Sequence, residues 1–382
     1  MRSAIAASTA IKSSYSTAPD PQQAAAELAL ALCDVDTEFS LFFCNPDYPR
    51  PALADALAQG FGASMLAGCT TSGEITPAGY REDSITGVSF SKRHFTAVCR
   101  KISKLSEFGL QQARDLVLSS LWELREKAPQ SNPGNTFALM LIDSISEAEE
   151  LIAASIGSEL GNIDLIGGSA GDNFRIESTP VYHAGEFVED AAVFLLVHTD
   201  LKFQHYISHH FVTSDTRGVI TAASPSKRLV HEINGASAAA EYARLCGIPP
   251  EQIDVDSLSA HPIIITVGGK EYVRGFSQIL EDGSIRCACA IDEGIVFRVA
   301  RPSDIVESLA RLFSTIQADI GPPDLVLAFE CAARKVEVQQ NSLQVPVNAL
   351  LCANKVVGFC SMGEQSNTVN MNNSFNCIAF SR

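Results

Sequence analysis

Short apolar runs of strand length alternate along this chain with longer stretches in which apolar residues recur at helical spacing. The runs at 40–44, 65–67, 84–90, 95–102, 137–142, 165–166, 180–182, 191–198, 203–212, 325–329 and 356–357 are too short for helices and read as strands. Between them, Asp20 offers an N-cap acceptor and Pro21 a first-turn proline to an alanine- and leucine-rich helix reaching Leu32. Further helices are predicted over 51–61, 110–126, 147–160 and 238–245, and from Ser303 and Asp304 to Gly321, where Pro322 and Pro323 forbid continuation. From Ile263 the pattern changes. Gly268-Gly269 and Asp282-Gly283 punctuate strand-like runs as hairpin turns do, which predicts an antiparallel meander.

Three of the apolar runs end alike, in a glycine-framed turn that closes on an acid: Gly68-Cys69-Thr70-Thr71-Ser72-Gly73-Glu74, Gly167-Gly168-Ser169-Ala170-Gly171-Asp172 and Gly358-Phe359-Cys360-Ser361-Met362-Gly363-Glu364. Each follows a strand, and in the first two cases a helix, so a β-α-β-turn unit recurs. Glycine tolerates the sharp bend and leaves main-chain N–H groups open to a ligand. The turns start 99 and then 191 residues apart, too irregular for a solenoid. The expected fold is α/β: two layered domains with mixed sheets, β-α-β units throughout and an antiparallel meander in the second. The domains are expected at 20–215 and 220–380, divided by the polar stretch around 213–223.

A chain of 382 residues, 46% hydrophobic, has material for about two cores. Its 28 basic and 44 acidic residues leave a charge of −16, with no basic run to offset it, so nucleic-acid and membrane-surface partners are discounted. No apolar run approaches the roughly 18 residues of a membrane span. Ser3, Ser8, Thr9 and Lys12 break up the apolar stretch a signal peptide needs, so a cytoplasmic location is expected. The eleven cysteines are scattered through apolar contexts, and Cys287 and Cys289 lack the second pair of a tetrahedral zinc site.

The ordered motifs 67–74, 167–172, Glu232-Ile233-Asn234-Gly235 and 357–365 resemble the FIST proteins, named for F-box and intracellular signal transduction. The resemblance runs from about Asp20 to Ala379 and implies an N-terminal FIST domain followed by a FIST C-terminal domain. Segments 135–139, 197–201, 210–212, His261-Pro262 and 290–294 are similar to the subgroup of haem-binding nitric-oxide sensors. The resemblance implies a sensory module that binds a small ligand and regulates a histidine kinase or a cyclic-di-GMP enzyme, with non-covalent haem b as cofactor. Where relatives carry Cys-x-Cys this chain has Phe329-Glu330-Cys331, so no role of that pair carries over.

A haem needs an apolar slot and an axial imidazole. His94 and His231 sit among lysines and arginines and read as solvated. Alternation along 203–212 places His205 and His209 on one face and His210 on the other, so periodicity favours His209 and the subgroup resemblance favours His210. His210 and His261 are the candidate axial ligands, with His183 and His209 in reserve. The small polar side chains of the three turns could instead line a pocket for an amino acid or other metabolite, the competing view being tight strand exits whose acids satisfy local donors. Finally, 167–171 fits Gly-x-Ser-x-Gly literally, but an extended segment follows Ser169 where a nucleophile elbow needs a helix, leaving a Ser169 hydrolase a remote alternative.

Overall fold

The computed structural model describes residues 9–249, 252–267 and 269–382, so Ser3, Ser8 and Gly268 lie outside the described residues. The three glycine turns belong to one unit built three times: strand, helix, strand, helix, strand, hairpin, strand. In the first copy these are Ile11–Ser16, Pro21–Leu32, Thr37–Cys44, Arg50–Phe61, Met65–Thr70, the hairpin Glu74–Thr76 with Gly79–Arg81, and Ile85–Ser91. The second runs through Phe95–Ser103, Leu110–Lys127, Thr136–Ile142, Glu149–Leu160, Asp164–Ser169, the hairpin Val181–His183 with Glu186–Val188, and Ala191–Thr199. The third begins at Lys202–Ser208 and resumes with Ile305–Ile320, Leu325–Cys331, two helices at Ala332–Gln340 and Gln344–Ala353, Val356–Ser361, the hairpin Glu364–Ser366 with Val369–Met371, and Phe375–Ser381.

Each copy forms a sheet in the order first, last, second, third strand, with a hairpin borrowed from another copy at its edge. The first hairpin joins the third sheet (Ile75 opposite Gly358), the second joins the first sheet (Val181 opposite Cys69), and the third joins the second sheet (Glu364 opposite Gly168). The exchange is cyclic and gives the core a pseudo-threefold arrangement. The middle strands are apolar on both faces because both are covered. Phe39, Phe43, Leu139, Leu141, Leu327 and Phe329 point into one core shared by all three sheets, whereas the alternate residues Phe42, Met140 and Val326 meet the outer helices. Aromatic contacts cross between sheets, with ring centroids 4.7 Å apart for Phe43 and Phe359 and 5.4 Å apart for Phe137 and Phe380. Among the described residues no helix is long and apolar enough to cross a membrane.

The segment Phe211 to Pro302 is an insertion within the third copy. It forms an antiparallel sheet whose central strands are Val296–Pro302 and Phe211–Ser224, and it contains the two expected hairpins, Ile263–Val267 with Lys270–Arg274 and Phe276–Ile279 with Ile285–Cys287. The division drawn at 215–220 therefore falls inside a continuous strand, and the last part of the chain returns to the core. The run 203–212 is two strands, broken where the chain leaves the core at His209 and His210. The two ends of the insertion meet there, with Ser303 N donating to His210 O at 2.6 Å. Insertion and core are also pinned by Arg228, which reaches Glu149 and Glu150 at 2.8 Å each, and by Arg274, which donates to Asn370 O at 2.6 Å.

Candidate functional site

The fold brings all three turns together, as a closed ring rather than the rim of an open hollow. Ser72 N donates to Cys360 O (3.0 Å) and Cys360 N to Gly73 O (2.8 Å); Ser169 N donates to Gly363 O (2.8 Å) and Met362 N to Ser169 O (3.1 Å); Gly171 N donates to Thr70 O (3.0 Å). These amides, expected to be open to a ligand, are committed to neighbouring turns. The leading glycines have a reason other than bending. A Cβ on Gly68, Gly167 or Gly358 would lie 2.5, 2.3 or 1.8 Å from the carbonyl oxygen of Phe42, Met140 or Ala328 on the adjacent strand. Gly73 does need glycine's freedom: its φ is +127°, and a Cβ there would lie 2.4 Å from Lys335 Nζ.

The acids of the first and third turns are equivalent. Glu74 accepts from Thr71 (2.5 Å) and Ser84 (2.7 Å), and Glu364 from Ser361 (2.6 Å) and Ser374 (2.7 Å). Burial raises their pKa to about 7 and about 8. Asp172 instead accepts the amides of Ile176, Glu177 and Ser178, pinning the loop that follows it. Burial also pushes the Cys69 and Cys360 thiols up, away from thiolate chemistry. Ser169 is fully buried, and its hydroxyl accepts from Gln365 Nε2 at 2.8 Å.

His210 is buried at the base of the insertion with both ring nitrogens engaged, Nδ1 with Arg334 (2.7 Å) and Nε2 with Glu337 (2.9 Å). Burial lowers its pKa, as it does that of His209, whose Nδ1 accepts from Phe211 N. His261 directs Nδ1 at Ser257 O (3.0 Å). A haem iron therefore finds no free nitrogen on His210, and His210 does not fit the axial role. His183 is different: it lines an apolar cavity of about 360 Å³ with Leu57, Phe61, Met65 and Leu66.

Cavities do lie beside the ring: Thr70 and Asp172 border a small one of about 130 Å³, and the first turn borders a larger one. A polar hollow of about 310 Å³ lies between Ser72, Gly73 and Glu74 of the first turn, Glu82 and Asp83 at the foot of its hairpin, Asn45, the loop residues Asn173 and Phe174, and helix Ala332–Gln340. Lys335 forms its floor; its ammonium donates to Ser72 O (3.2 Å) and pairs with Glu82 (3.1 Å). Asn45 Nδ2 holds the Asp83 carboxylate at 2.7 Å. Behind Lys335 the same helix carries a buried chain of polar contacts from Tyr80 to Glu330, Arg334, His210 and Glu337. Sequence reasoning found Ser72, Gly73 and Glu74 and missed Lys335, Glu82 and Asp83. No intrahelical pairing pattern marked this helix in advance, because Glu330, the ion-pair partner of Arg334, lies in the preceding strand Leu325–Cys331.

Fold and cavity together define a mixed α/β module with a pseudo-threefold core and a polar cavity beside its first turn. The chain belongs to the FIST family: the FIST N domain matches residues 38–236 and the FIST C domain residues 238–367. FIST domains are sensor domains of signal transduction. A similar protein is an uncharacterized protein of Methanocaldococcus jannaschii, 24% identical over 306 residues, which are 76% of this chain and 58% of that one. The chain thus spans somewhat over half the length of the curated relative it matches.

Proposed function

We propose that this chain is a sensory module whose signal is a small zwitterionic metabolite, an amino acid or close analogue, bound in the polar cavity beside the first turn. The observation that carries this reading is the charge arrangement around 310 Å³ of space: the Lys335 ammonium at the floor, the Glu82 and Asp83 carboxylates at the wall, and neutral donors and acceptors from Ser72, Asn45 and Asn173 between them. A carboxylate placed at Lys335 would compete with Glu82 for the ammonium, and the released Glu82, with Asp83, would receive an amino group. Lys335 lies one residue from Arg334, which holds His210 at the base of the insertion. Binding that moves this helix would bias the insertion's position, and with it a surface offered to a partner, which by family resemblance is a histidine kinase or a cyclic-di-GMP enzyme. Titration calorimetry with a panel of amino acids tests the reading: at least one should bind, and Lys335→Met should weaken it by about tenfold or more, the worth of one charge-assisted contact. Absence of binding across the panel would overturn it.

A second reading rests on His183 and its apolar cavity, which offers haem b a half-buried imidazole and hydrophobic walls. There the protein would hold the group and His183 would supply the nitrogen, for nitric-oxide sensing. The same protein titrated with haem should then show a saturable Soret band that disappears in His183→Ala.

A further inference from the structure

Helix Ala332–Gln340 has a cavity on each flank. Lys335 and Gln339 face the polar one, while Ala333, Glu337 and Gln340 face a second hollow of about 400 Å³ at the neck of the insertion. The second hollow is walled by Phe211, Pro302 and Ala260, and its one carboxylate, Glu337, is already bound to His210. Gln340, Asn341 and Asn373 complete the lining with carboxamides, so among the described residues it offers an apolar wall, neutral polar groups and no free countercharge. Val336 and Phe174 border both hollows, which therefore adjoin at the valine and the phenyl ring.

Phe174 is oddly placed for a residue without a ligand. It follows Asn173 in a second consecutive left-handed conformation (φ +58° and +62°), which a phenylalanine adopts only when its surroundings hold it there. The Asp172 carboxylate does the holding, through the amides of Ile176, Glu177 and Ser178. The result is a large aromatic side chain 47% exposed at the mouth of two cavities. Aromatic rings in that position lose water contact when an apolar group slides against them.

We infer that the two hollows are one site for an amphipathic ligand: its ammonium and carboxylate lie beside Lys335, Glu82 and Asp83, and an uncharged apolar or aromatic side chain crosses Val336 into the second hollow, with Phe174 covering it. The inference rests on the zwitterion reading of the polar cavity and adds the class of side chain. Of the amino acids, the large apolar ones are selected and glycine, alanine and the charged ones are not.

Calorimetric titration of the full chain with glycine, leucine and phenylalanine tests it. Phenylalanine or leucine should bind about tenfold or more tighter than glycine, the scale on which apolar pockets discriminate. Phe174→Ala should cut that preference to within about twofold, as should Ala333→Trp, which fills the second hollow from the helix. Tight glycine binding with no gain from the larger side chains would overturn this inference while leaving the parent reading intact. A preference that survives both variants would also overturn it. Binding of none of the three, nor of any other amino acid, would remove the parent reading, and this one with it.

Discussion

Glu364 shows what the buried acids of the core do to the pH dependence of the fold. It is fully enclosed, with Ser361 and Ser374 as its hydroxyl partners, and burial lifts its pKa from 4.5 to about 8. The folded carboxyl therefore keeps a proton that the unfolded chain releases above about 4.5. A raised folded pKa means that stability is fully present below the unfolded value and is lost as pH rises toward the folded one, with a slope approaching about 1.4 kcal/mol per pH unit. Glu74, lifted to about 7, adds to the loss over the lower part of the same window. Urea unfolding of the wild type between pH 5 and 8 should thus show a falling midpoint, and Glu364→Gln, which cannot ionise and can still bond both serines, should show a shallower fall. An unchanged slope in the variant would mean that Glu364 is ionised in the folded protein.

The elements show why some of this architecture could be read from the chain and some could not. The helices announced by capping residues stand where expected: Asp20 accepts from Gln23 N at 3.2 Å and Asp304 from Val306 N at 2.8 Å, and neither bond needs anything beyond its own turn. The glycine turns were equally legible as turns, yet the role of their first glycine was not, because it depends on the neighbouring strand. Gly358 sits in an ordinary strand conformation, with the Ala328 carbonyl 1.8 Å from where a Cβ would be. Gly358→Ala should therefore force two paired strands apart and cost about 3 kcal/mol or more. The fair comparison is Gly185→Ala, where φ is +94° and nothing lies within 4 Å; it should cost about 1 kcal/mol. Thermal or urea unfolding of the pair separates them, and equal costs would mean that the strands absorb the methyl group without strain. Helix Ala332–Gln340 escaped the sequence reading for the opposite reason. Arg334 and Lys335 carry the pattern of a solvated face, and only the approach of Glu330, His210 and the first turn makes that face an interior one. Hence the cavity's cation was invisible while its small residues were not.

At the scale of the molecule, the irregular spacing of the turns has a simple source. The second gap exceeds the first by 92 residues, the length of Phe211–Pro302, so the three units are regular once the insertion is set aside. The exchange of hairpins was beyond sequence reasoning because a three-residue strand carries no mark of which sheet will accept it. The insertion need not be part of the folding unit: its ends are joined by the Ser303 N to His210 O bond at 2.6 Å, and a loop whose ends already touch costs little to shorten. Replacing residues 211–302 by two glycines should leave the three sheets and their shared core in place. The shortened chain should nonetheless be less stable, since Val369 and Met371 lose the apolar cover the insertion gives them and Glu149 and Glu150 lose Arg228. It should also still bind a zwitterion at Lys335, whose partners Ser72 and Glu82 belong to the core, while any preference for a large apolar side chain should vanish with Phe211 and Pro302. Circular dichroism with a cooperative thermal transition, followed by the same amino-acid titration, reads both outcomes. A chain that fails to fold would show that the threefold core depends on the inserted sheet, and a folded chain that keeps the apolar preference would place the side-chain hollow elsewhere.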